Sequence, residues 1–121
     1  MIYEKILHNP GRLFSLLIDP ENYEAKAMRQ LVRQADEAGV DFILIGGSLL
    51  SGGLDWSITL IREETNIPVL LFPGSLMQVS SLADGILFLS LISGRNPDLL
   101  IGNHVLSARM IKNSGLEVIP T

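Results

Sequence analysis

Short apolar runs alternate along this chain with stretches whose apolar residues recur at helical spacing. Leu13 to Ile18 is apolar except for Ser15 and stops at Asp19-Pro20, which is how a strand buried on both faces reads. Ala27, Met28, Leu31, Val32, Ala35 and Ala38 then recur every three or four positions, with Lys26, Arg29, Arg33 and Glu37 between them and Gly39 as a C-terminal stop, predicting a helix. Asp41 to Ile45 predicts a second strand ending in Gly46-Gly47-Ser48, and Trp56, Leu60 and Ile61 mark a helix that ends near Asn66. Val69 to Phe72 predicts a third strand ending in Pro73-Gly74-Ser75, followed by a short connection around Leu76 to Leu82. Gly85 to Leu91 predicts a fourth, ending in Ser93-Gly94-Arg95-Asn96-Pro97. A longer helix follows from about Leu99 to Asn113, with Leu100, Val105, Ala108 and Ile111 inward, and Leu116 to Ile119 opens a fifth strand.

Strands alternating with helices at intervals of ~25 residues predict an α/β fold of parallel βα units, because parallel neighbours need a crossover long enough to hold a helix. The polar and glycine-rich residues gather at the C-terminal ends of the strands, whereas the connections before the strands are plain. In a β/α barrel those ends line the active-site rim. An open doubly wound sheet also binds ligands there, so the pattern by itself fits both architectures. A set of four βα units plus one strand would leave a parallel sheet with open edges, which invite association with another copy or with a missing half.

Composition narrows the field. The 121 residues, 47% of them hydrophobic, predict a single domain covering 1–121. Nine Lys and Arg against thirteen Asp and Glu give a net charge of -4, which offers no field for nucleic acid. With no cysteine, a disulfide framework and a thiolate metal site are both excluded, in keeping with a cytoplasmic location. Met1 to Asn9 carries Glu4 and Lys5 within a short apolar stretch, and no apolar run approaches the ~18 residues of a membrane span.

Several residues at the strand ends could carry chemistry. Asp19, before a proline, is either a ligand for a hard cation such as magnesium or an N-terminal cap for the helix that follows. Gly46-Gly47-Ser48 is either a strand-to-helix turn or a phosphate cradle, with backbone N–H groups and a hydroxyl able to reach an anion or a metal. It lacks the Lys-Ser or Lys-Thr pair of a Walker loop and is no GxGxxG fingerprint. Pro73, Gly74 and Ser75 present backbone in the same way. Arg95 and Asn96 follow the fourth strand, where a guanidinium could pair with a phosphate. His8 and His104 have no His or Cys partner at ligand spacing and read as helix-surface or packed histidines. Glu117 either faces the interior of the sheet or caps its edge.

Taken together, Leu17-Ile18-Asp19-Pro20, Ile45-Gly46-Gly47-Ser48, Leu71-Phe72-Pro73-Gly74-Ser75, the segment from Ala83 to Ser90, Ile101-Gly102-Asn103-His104-Val105 and the segment from Gly115 to Thr121 resemble the successive motifs of the geranylgeranylglyceryl phosphate synthase family. The resemblance implies the first half of a (β/α)8 barrel. It also implies transfer of a geranylgeranyl or similar prenyl group from its diphosphate to sn-glycerol 1-phosphate. Residue by residue, Asp19 and Ser48 fall on the family's magnesium positions, and Gly46, Gly47, Pro73, Gly74, Ser75, Arg95 and Asn96 on the substrate-binding rim. The rim and the helices around strands two to four would hold the prenyl tail. The family's glycerol-phosphate motifs belong to later strands, as expected where a barrel's phosphate site follows strands seven and eight. The 121-residue chain alone is therefore expected to be inactive, or nearly so.

Overall fold

The computed structural model describes residues 1–46, 54–72, 80–88 and 103–121, and within the last segment the side chains of 108, 109 and 111–121. The strands are β1 (Ser15–Ile18), β2 (Phe42–Ile45), β3 (Val69–Leu71), β4 (Gly85–Phe88) and β5 (Glu117–Pro120). The helices are α1 (Ile2–Leu7), α2 (Ala25–Ala38), α3 (Asp55–Glu64) and α4 (Asn103–Ser114). All neighbouring strands pair in parallel, in the order β1-β2-β3-β4-β5. A doubly wound sheet reverses its strand order at a switch point, whereas a barrel adds each strand beside the last. The observed order is the barrel's.

The register splits the sheet cleanly into two faces. Leu16, Ile18, Ile43, Ile45, Val69, Leu71, Ile86 and Phe88 share one face with Met28 and Val32 of α2, Ile58 and Ile61 of α3, and Ile111 of α4. The other face carries Phe42, Leu70 and Ile119 at its centre, with Leu44, Leu87 and Leu13 half-buried around them. Every Ile, Val and Leu of β2 and β3 except Leu44 is buried, which is why these strands read as unbroken apolar runs rather than alternating ones.

The helices follow their pattern with local differences. Met28, Val32 and Ala35 form the buried stripe of α2, while Ala27 and Ala38 are exposed, so the stripe is narrower than its alanines suggest. Gly39 ends α2 at φ 76°, donating its N–H to the carbonyls of Ala35 and Asp36, a left-handed cap that suits glycine. On α4, Ile111 is buried but Ala108 is exposed, which corrects the inward placement expected for that alanine. A methyl group gains too little from burial to hold a helix face against the sheet. Leu100 lies outside the described residues, as does the side chain of Val105.

Sequence periodicity does not predict α1, whose six residues are too few to be stable alone. Ile2, Tyr3 and Ile6 pack it against the cluster of Phe42, Leu70 and Ile119. Between β3 and β4, residues 80–84 run as turns and bends along α3 instead of forming a helix. The Arg62 guanidinium bonds Leu82 O and Asp84 Oδ1, both at 2.8 Å, and Ser80 Oγ donates to the Asp55 carboxylate. Helices α2 and α3 are tied by Arg33 Nε to Glu64 at 2.7 Å and by Arg29 Nη1 to Glu64 at 2.8 Å and Glu63 at 3.0 Å. Hydrogen bonds from Arg33 and Arg29 hold the Glu64 carboxyl below its ordinary range. Among the described residues, no helix is long and apolar enough to cross a membrane.

Candidate active-site rim

The C-terminal ends of β1, β2 and β3 meet at one rim. Gly46 N donates to Ile18 O at 3.2 Å and Phe72 N to Ile45 O at 2.9 Å, which carries the parallel ladder to the last residue of each strand. At Gly46 the backbone of Phe72 approaches so closely that a Cβ would lie 2.0 Å from Phe72 O and 2.9 Å from Phe72 C. No side chain fits there. Because its N–H is already given to Ile18, what the fold requires of Gly46 is bareness; an anion at this rim would draw its donors from other groups.

Asp19 stands directly after β1 and is half-buried. Its backbone is extended, at φ -93° and ψ 108°, as expected before a proline. Oδ1 accepts the Glu21 N–H at 3.1 Å and caps a three-residue 3-10 turn, Pro20–Asn22. The capping expectation is thus met on this turn and not on α2, which begins later at Ala25 behind Glu24. Among the described residues no donor reaches the second carboxylate oxygen. Pro20 is buried and anchors the turn, so the carboxylate is held at the rim by the chain on both sides of it.

The remaining rim candidates, Gly47, Ser48, Pro73, Gly74, Ser75, Arg95 and Asn96, lie outside the described residues. His8 is exposed at the C-cap of α1, beside Glu4, and is not packed; the side chain of His104 is not among those described. Among the described residues no group of three or more His, Cys, Asp or Glu could hold a metal ion. Magnesium does not need such a cage, since it commonly binds through one or two carboxylates together with substrate phosphates and water. Asp19 fits that mode as a carboxylate contributing one hard oxygen.

The opposite end of the sheet holds two aspartates that sequence reasoning passed over, together with Glu117. Asp41 Oδ2 accepts the Phe14 N–H at 2.8 Å, and Asp84 Oδ2 accepts the Val69 N–H at 2.8 Å. In each case an aspartate just before one strand accepts an N–H at the entrance of the strand beside it, from the residue before β1 in one case and the first residue of β3 in the other. The signal was present as Asp41-Phe42 and Asp84-Gly85, an aspartate at the mouth of the second and fourth strands. Glu117 lies on the inner face: its two oxygens accept the N–H groups of Ile2 and Tyr3, each at 2.8 Å. Burial pushes this carboxyl up, but the two backbone donors and the N-terminal ammonium prevail and leave it below its ordinary range.

The PcrB family profile matches residues 7–121. A geranylgeranylglyceryl phosphate synthase from Chitinophaga pinensis is 50% identical over 109 residues, covering 89% of this chain and 43% of its own length. Among solved structures, wild-type GGGPS from Thermoplasma volcanium superposes with a TM-score of 0.82 at 33% identity, over 90% of this chain and 45% of that one. The (S)-3-O-geranylgeranylglyceryl phosphate synthase from Thermoplasma acidophilum, in complex with sn-glycerol-1-phosphate, gives 0.85 at 30% identity, over 98% of this chain and 48% of that one. The fold is therefore the α/β arrangement of the first half of a (β/α)8 barrel, and the chain spans about half the length of the relatives it matches.

Proposed function

This chain belongs to the PcrB family, and we propose that it carries the cation and diphosphate part of a prenyltransferase acting in the cytoplasm on sn-glycerol 1-phosphate. The observation that carries the reading is Asp19: a carboxylate fixed at the C-terminal end of β1 by the Glu21 N–H, with one oxygen that no described donor reaches. In the reaction, the bond between the allylic carbon and the diphosphate oxygen breaks and pyrophosphate departs with the electron pair. A hydroxyl oxygen of glycerol phosphate bonds to that carbon and loses its proton, leaving an ether. Asp19, with Ser48 proposed beside it, would hold Mg2+, whose contribution is to neutralise charge building on the departing diphosphate.

The chain's own residues supply position. Pro20 and the 3-10 turn fix the Asp19 carboxylate, and the bare backbone of Gly46 lets the ends of β2 and β3 close beside it. Gly47, Pro73, Gly74, Ser75, Arg95 and Asn96 are proposed to line the diphosphate, and the apolar rim to take the prenyl chain, geranylgeranyl or similar. The solved relative that binds sn-glycerol-1-phosphate supports that acceptor.

Calorimetry with inorganic diphosphate and magnesium tests the reading. The 121-residue chain should bind diphosphate only with magnesium present, and Asp19→Asn should weaken this binding by at least about tenfold, a loss in keeping with one charge-assisted contact. Equal binding by the variant would remove Asp19 from the site.

A second reading concerns assembly. Leu17 and Val118 on the two outermost strands, and Phe14 just before β1, are 54%, 40% and 66% exposed, and exposed apolar edges favour pairing with another copy or with a further half-barrel. Sedimentation of the chain as a well-behaved monomer would count against pairing between copies.

A further inference from the structure

We propose that α1 is a detachable floor for the inner face of the sheet, clasped shut by the carboxylate of Glu117. Both oxygens of Glu117 are taken by backbone N–H groups at the start of α1, from Ile2 and Tyr3 at 2.8 Å each, so the first helix is tied to the last strand across the whole sheet. Glu117 sits on the same face as Leu70, Gly85 and Ile119, the face whose buried centre is Phe42, Leu70 and Ile119. Without α1 that small cluster is open to water from the N-terminal end.

The hold is local. No residue of α1 is fully buried, so Ile2, Tyr3 and Ile6 contribute only partial apolar contacts, joined by Lys5 Nζ 6.0 Å from the centre of the Phe42 ring. A six-residue helix does not persist alone in water. Two charge-assisted hydrogen bonds are therefore a large share of what keeps α1 folded and docked. The other sheet face, with its far larger cluster under α2, α3 and α4, contains no residue of α1. Release of α1 should thus leave the rest of the fold standing, with the floor open.

Trypsin cleavage after Lys5, followed by mass spectrometry together with amide exchange on the 121-residue chain, tests this. Glu117→Ala should speed cleavage at Lys5 and exchange at Tyr3 by at least about tenfold, the scale expected for losing charged hydrogen bonds, with protection of Ile43 and Ile45 unchanged. Glu117→Gln, which keeps an acceptor oxygen, should fall between the wild type and Glu117→Ala. Ile2→Pro removes one donor at a position where a helix tolerates proline, and it should also speed cleavage with Glu117 intact. Unchanged cleavage in both Glu117→Ala and Ile2→Pro would overturn the clasp. Loss of protection throughout the sheet at the same rate as at α1 would overturn the claim that the floor detaches by itself.

Discussion

The two ends of this sheet use their carboxylates differently. At the N-terminal end, Asp84 and Glu117 have both oxygens engaged, Asp84 by the Val69 N–H and Arg62 and Glu117 by the N–H groups of Ile2 and Tyr3. Asp41 spends one oxygen on the Phe14 N–H of the segment entering the neighbouring strand. At the C-terminal end, Asp19 accepts one N–H from a turn two residues away and, among the described residues, nothing more. A carboxylate with both oxygens engaged by the fold has little left for a ligand, whereas one braced through a single oxygen can still meet a cation. The contrast matches the division in β/α barrels between a stabilising N-terminal face and a chemical C-terminal one.

The sharpest way to break the contrast is to damage the rim through its backbone. Gly46→Ala would place a Cβ 2.0 Å from Phe72 O, where only backbone could give way, and at φ 155° alanine is strained in any case. Thermal unfolding should show a loss of about 3 kcal/mol, at the upper end of overpacking costs. A variant as stable as the parent would mean that the β2 and β3 ends separate without penalty. Next in size is Asp84→Ala, which strips the acceptor from the N–H of fully buried Val69 and frees Arg62. Leaving that donor unmet should cost about 2 kcal/mol, and Asp84→Asn should recover much of it by keeping an acceptor toward Val69.

Much of this fold was legible because parallel strands buried on both faces leave unbroken apolar runs: β2 and β3 fall within one residue of where Asp41 to Ile45 and Val69 to Phe72 place them. The Asp19-Pro20 corner at the rim was legible for a similarly local reason, since a proline fixes the conformation of the residue before it. What escaped was set at long range. Helix α1 has no strength of its own and is held by a residue 115 positions away, so no window of sequence contains its cause. The aspartates before β2 and β4 escaped because their partners lie across the sheet, in segments 27 and 15 residues away. Glu117 left two readings open, and only the register, which pairs it with Gly85, puts it on the inner face.

Acid should act first at the N-terminal end. The folded-state carboxyl of Glu117 lies below its ordinary range, so its stabilising contribution is fully present above that range and is lost as pH falls through the folded value. The charged group that acts on it is the Met1 ammonium; α1 also carries Glu4 and Lys5, and the neighbouring β4 is preceded by Asp84 paired with Arg62. Amide exchange in α1 should therefore quicken on acidification before exchange in β2 and β3 does, with an effect smaller than that of Asp84→Ala. In Glu117→Gln the acid-dependent part should vanish. Persistence of the same acid response in that variant would assign it to another carboxylate.

The smallest stability effect belongs to the residue with the largest proposed role. Asp19→Asn keeps an oxygen that can accept the Glu21 N–H, and asparagine caps a turn about as well as aspartate. It also keeps the volume and the bond to Pro20, so the rim geometry has no reason to change. Thermal unfolding without divalent ions should differ from the parent by less than about 0.5 kcal/mol, as for a substitution that breaks no buried contact. With magnesium and diphosphate added, the parent should gain stability through binding and the variant should gain much less. If Asp19→Asn instead unfolded as readily as Asp84→Ala in the absence of ligand, Asp19 would be part of the frame, and the difference between the two ends of the sheet would disappear.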